Sequence, residues 1–139
     1  MIQEYIDAWN ENKDRFEYWL RLDVDANTLS YEDIVKGIID EVINPYIDSN
    51  YDKLDVEKMT VIDDGDYQGT YIYIIPKDCY QPSVCDYIMT DNYYGSCSGC
   101  DALLGVQDSW GKEVSDDTIE GIMTIALHLI EKMKPLGGE

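Results

Sequence analysis

Basic residues are scarce in this sequence. Ten lysines and arginines stand against twenty-nine aspartates and glutamates, a formal charge of −19 at pH 7, and none of the ten lies between Lys77 and Lys112. Such a chain repels phosphate backbones and anionic membrane surfaces, which argues against direct binding to either. Long apolar runs are missing too. There is no window of about 18 apolar residues for a membrane-spanning helix, and the opening "MIQEYIDAWNEN" has neither the basic nor the apolar region of a secretory leader. The expectation is a soluble, cytoplasmic protein. No phosphate-binding loop, G-x-S-x-G or H-E-x-x-H occurs, so the common signatures of nucleotide, serine-hydrolase and zinc-protease chemistry are absent. The single histidine, His128, falls on the polar face of a predicted helix with Glu120, Thr124 and Glu131. It reads as exposed and idle, turned away from any cysteine it would need to activate.

What is present is ordered. Apolar residues make up 45% of 139 positions and are grouped in periodic segments, so the chain reads as one globular domain, 1–139. Ile2, Tyr5, Ile6, Trp9, Phe16, Trp19 and Leu20 repeat at helical spacing, with Glu4, Asp7, Glu11 and Asp14 opposite them. Ser30 and Asp33 form a capping-box signature ahead of a second helix, from about Tyr31 to Pro45, which ends or kinks it. "VEKMTVID" and "TYIYIIP", separated by "DGDYQG", read as an antiparallel hairpin, and "CDYIMTDNYYG" as a third strand. Ser115 caps a last helix running to about Lys134, whose wide apolar face predicts the most covered helix of the protein. The fold class is α+β: two N-terminal helices, a small antiparallel sheet of three to four strands, and a C-terminal helix packed on it.

All four cysteines lie in one 22-residue segment, as Cys79, Cys85, Cys97 and Cys100. A C-x-x-C knuckle with a second pair brought close by a hairpin is one way to build a four-thiolate zinc site. Here only one pair has knuckle spacing. A redox centre would need a lowered thiol pKa, whereas Asp101 beside Cys100, and Asp91 upstream, are expected to raise it. The structural reading carries most weight: Gly95, Ser96, Ser98 and Gly99 make a tight turn with positive φ at the glycines, and the thiols serve as small buried hydrophobes. Asp63, Asp64 and Asp66 around Gly65 lack the twelve-residue frame and closing Glu of a calcium loop and read as a solvated hairpin turn.

"YQGTYIYIIP", the Tyr-rich strand after it and "YYGSCSGCDALLGV" resemble a family of small, uncharacterised phage and prophage proteins sharing the motif Y-G-S-C-S-G-C-D. The resemblance covers about residues 63–106. It implies an accessory gene of a phage or mobile element acting in the bacterial cytoplasm, and no known chemistry. It singles out Tyr94, Gly95, Ser96, Cys97, Ser98, Gly99, Cys100 and Asp101. Cys79 and Cys85 are not part of the motif, which weighs against an obligatory four-cysteine metal site.

Twelve tyrosines and three tryptophans exceed what one small core hides, and such rings are enriched at binding surfaces. A face near Tyr67, Tyr80, Tyr93 and Tyr94 is the candidate. The leading expectation is a non-catalytic protein-binding module of phage or prophage origin, with no cofactor, whose partner is a host protein with a basic surface. Its sharpest form is a counter-defence inhibitor, as in anti-CRISPR proteins, occupying a nucleic-acid groove. Glu4, Asp7, Glu11 and Asp14 recur about once per turn, roughly 5 Å apart, near the spacing of phosphates along a strand. An acidic helix face is also what plain solvation produces. The alternative is a zinc- or thiol-dependent protein centred on residues 79–100.

Overall fold

The computed structural model describes residues 2–79, 82–83, 86–97, 99–108 and 113–137. Helix α1 spans Gln3–Tyr18 and runs on into a wide π turn, Trp19–Asp23. Helix α2, Tyr31–Ile38, starts at the expected capping box, with the Ser30 hydroxyl accepting from Asp33 N and the Asp33 carboxylate accepting from Ser30 N, each at 3.1 Å. It continues through a second π turn, Ile39–Ile43, and ends in the turn Asn44–Tyr46 that holds Pro45.

Strands β1 (Thr60–Asp63), β2 (Gly69–Pro76) and β3 (Tyr87–Tyr94) form an antiparallel meander. A two-residue strand, β4 (Lys134–Pro135), adds to β3 only at Ile88 and Met89. Further along that edge of β3, the Lys132 ammonium donates to the Asp91 carbonyl at 3.2 Å. The first expected strand is shorter than "VEKMTVID": Val56–Lys58 is a 3-10 turn capped by the Asp55 carboxylate, which draws those residues out of extended conformation. Helix α3 (Ala102–Val106) follows the cysteine loop, and α4 (Asp116–Glu131) begins at Ser115, whose hydroxyl accepts from Thr118 N at 3.1 Å. The α+β architecture is as the sequence predicts.

One sheet face meets the helices. Period-two alternation sends Tyr73 and Ile75 of β2 and Ile88, Thr90, Asn92 and Tyr94 of β3 to the same side, where they are buried. The Thr90 hydroxyl donates to Leu129 O at 2.7 Å, tying α4 to β3. The most covered helix is the second, not the last. Ile34, Val35, Ile38, Ile39, Val42 and Ile43 are all fully buried, whereas Met123, Ile125 and Leu127 of α4 are half-buried. The π turn Ile39–Ile43 that continues α2 packs on α1, and α2 itself packs on α4, so the stripe is hidden from both sides. Among the described residues no helix is long and apolar enough to cross a membrane.

Candidate functional site

The loop after β3 is built around one carboxylate. Asp101 is buried, and its oxygens accept from Gly95 N at 2.9 Å, Leu103 N at 2.9 Å, Leu104 N at 3.0 Å and the Tyr31 hydroxyl at 2.7 Å. It caps α3, closes the loop onto its own start and binds both to α2, 70 residues away in sequence. A charged acceptor with four donors is a strong anchor, because each bond to an ionised group is worth about twice a neutral one. The second glycine of the loop does not need its special backbone freedom. At Gly99 an added Cβ would find nothing nearer than Cys97 Sγ at 3.9 Å, and φ is not positive. Gly95 is the constrained position: a Cβ there would lie 2.4 Å from Cys100 O and 2.6 Å from Cys100 C, backbone atoms that cannot step aside. Close approach, rather than positive φ, selects that glycine.

The thiols are not buried hydrophobes. Cys97 and Cys100 are both exposed and free, with their Sγ atoms 3.1 Å apart. The turn itself sets this: Cys97 O accepts from Cys100 N at 3.0 Å and from Asp101 N at 2.9 Å, folding the two side chains to one side. The Cys100 thiol is held below its ordinary pKa, first by the Cys97 thiol and then by the Ser96 hydroxyl, whose Oγ lies 3.7 Å away. The expected rise from Asp101 does not occur, because that carboxylate is turned inward onto its four donors. His128 is exposed, as expected, yet it is not on the wrong side. It lines a cavity of about 240 Å³ with Cys100, Asn92, Tyr93, Leu129 and Lys132. Cys79 is half-buried, and Cys85, the fourth member of the zinc set, lies outside the described residues, as do Ser98 and Tyr80. Among the described residues no three Cys, His, Asp or Glu side chains converge as a metal site.

Tyr94 and Tyr93 part company. Tyr93 is 54% exposed, whereas Tyr94 is buried, stacked on Tyr71 at 4.2 Å, and donates its hydroxyl to the Asp63 carboxylate. That bond raises the phenol pKa of Tyr94 and, with Gly65 N at 3.0 Å, lowers that of Asp63. Tyr94 therefore belongs to the fold rather than to a partner-facing surface. Asp63 and Asp64 serve the hairpin turn, the latter accepting from Thr70 N at 2.6 Å. Tyr31, Tyr71, Tyr73 and Tyr94 wall a cavity of about 350 Å³ above the loop. Tyr67 stands 84% exposed at the hairpin tip.

On α1, Glu4, Asp7, Glu11 and Asp14 are all exposed. Six of the ten basic residues, Arg15, Arg21, Lys36, Lys58, Lys77 and Lys132, already pair with carboxylates elsewhere, so little cationic charge is left to neutralise that ridge. Sequence reasoning missed another surface. The sheet face turned away from the helices carries Ile62, Ile72, Ile74 and Met89, half-buried or exposed and outside the core. Its signal was legible: "YIYII" in β2 is continuously apolar rather than alternating, the pattern of a strand covered on both faces. Comparisons with protein-family models, curated proteins and solved structures found no match to this chain.

Proposed function

We propose that this chain is a non-catalytic protein-binding module of phage or prophage origin that engages the basic surface of a host protein. The observation that carries the reading is the sheet face bearing Ile62, Ile72, Ile74 and Met89, apolar on a chain of charge −19, with Asp91 on the same face beside Ile72 and Asp64 and Asp66 in the hairpin turn at its end. An apolar centre inside a polar rim is the anatomy of a protein interface, and the sign of the rim selects a cationic partner. The acidic ridge of α1 supports the same sign and adds the sharper form, a counter-defence inhibitor filling a groove that otherwise holds a phosphate backbone.

Capture of bacterial proteins on the immobilised chain, with salt titration, tests it. A basic partner is expected, released as ionic strength rises and lost with Ile62→Asp. Combined neutralisation by Glu4→Gln, Asp7→Asn, Glu11→Gln and Asp14→Asn should weaken capture if the ridge contributes. Capture indifferent to salt and to both variants, or no basic partner at all, overturns the reading.

A further inference from the structure

The dithiol of the loop answers to none of this. We propose that Cys97 and Cys100 form a thiol–disulfide exchange centre, in which Cys100 attacks an accessible disulfide at the cavity beside it and Cys97 resolves the mixed disulfide. Three observations converge. Both thiols are exposed and their sulfurs touch at 3.1 Å, about 1 Å short of a bond. The turn that aligns them is anchored from beneath by the four donors on Asp101, none of which involves either sulfur, so its frame does not depend on their oxidation state. And Cys100, not Cys97, opens onto the cavity of about 240 Å³ whose wall also carries His128 and Lys132. The lowered pKa of Cys100 agrees with its part as the attacking sulfur.

The step balances with an external disulfide as oxidant. Cys100, as thiolate, bonds to one sulfur of the disulfide. The S–S bond breaks, and the departing thiolate takes up the proton that Cys100 gave to solvent. Cys97 then loses its proton, bonds to Cys100 Sγ and expels the second thiol. Two electrons and two protons pass from the protein to the external disulfide, leaving a Cys97–Cys100 bond and two free thiols. Lys132 and His128 are placed to steady the departing thiolate. Lys132 is partly neutralised by Asp91, whose Oδ1 lies 3.6 Å from its ammonium, and the chain as a whole is strongly negative. The substrate class is therefore a neutral or cationic disulfide in preference to an anionic one.

The test treats the reduced, full-length protein with cystamine, hydroxyethyl disulfide or glutathione disulfide and reads mass with time, followed by peptide mapping. The wild type should lose two hydrogens without keeping an adduct, with the new bond mapped to Cys97 and Cys100. Cys97→Ala should retain one cysteamine half on Cys100, and Cys100→Ala should react about tenfold more slowly. Cystamine should outpace glutathione disulfide by about tenfold at low salt, and the gap should narrow at high salt as the charge is screened. Stable adducts on both thiols, a bond mapped to Cys79 or Cys85, first attack by Cys97, or equal rates for folded and urea-unfolded protein would each overturn the proposal. Circular dichroism of both variants should match the wild type, because neither sulfur is buried.

Discussion

The base and the tip of the loop "YGSCSGCD" share eight residues and obey opposite rules. At the base, Gly95 and Asp101 are buried, and every donor around the carboxylate is satisfied. At the tip, Ser96, Cys97, Gly99 and Cys100 are exposed, and the thiols mainly touch one another. The base fixes where the chain goes. The tip is relieved of structural duty and can vary its chemistry without moving the fold.

Asp101→Ala should break this contrast most severely. It removes the acceptor of Gly95 N, Leu104 N and the Tyr31 hydroxyl and one of the two acceptors of Leu103 N, at a cost of about 3 kcal/mol or more, read as a lower urea midpoint with unchanged slope. A loss no larger than that of a surface substitution would show that the loop does not hang from this carboxylate. Gly95→Ala comes next, at about 2 kcal/mol, since backbone at 2.4 Å must give way. Gly99→Ala should stay within about 0.5 kcal/mol of wild type, because space is open there. Measured side by side, equal effects at the two glycines would erase the distinction between base and tip.

The hairpin next to the base offers a pH-dependent test. Bonds from Tyr94 and Gly65 depress the pKa of Asp63, so its contribution is complete above the ordinary carboxylate pKa and is lost as pH falls through the depressed one. Tyr94→Phe removes the larger of these bonds. The stability gap between wild type and Tyr94→Phe should be widest near neutrality and narrow as pH drops through the carboxylate range; a gap that does not change with pH would assign Tyr94 to packing alone. The smallest effect belongs to the tip. Replacing Cys97 and Cys100 together by Ala should leave the thermal midpoint within measurement scatter. A clear loss would return the thiols to the structural part expected of them from composition.

Legibility in the sequence follows the range of the interaction. The capping box at Ser30, the N-cap at Ser115, the period of α2 and the β1–β2 hairpin are short-range, and each was readable from neighbours within a few positions. The bond from Tyr31 to Asp101 joins residues 70 apart, and nothing local announces it. The same distance hid the fate of the thiols. Adjacent acids usually raise a thiol pKa, but that rule assumes that Asp101 faces Cys100, and its four donors turn it away. His128 was placed on the correct face of its helix, while the approach of the loop to that face depended on tertiary packing. Tyr94 was assigned to the surface on composition, and the polar Thr90 and Asn92 on its strand face gave no local sign that all three are buried.

The outer edge of β3 has a consequence for behaviour at high concentration. A strand with open peptide groups is a template on which a second chain can add, the first step toward fibres. Here β4 pairs at only two positions, Leu136 N occupies the Tyr87 carbonyl next to them, and the Lys132 ammonium occupies the Asp91 carbonyl further along. At the opposite edge β1 is four residues long and ends in Asp63. Short borders, a charge lodged in one of them and mutual repulsion between copies of charge −19 together oppose strand exchange, which makes acidification, by removing the repulsion first, the condition under which this protein is most prone to aggregate.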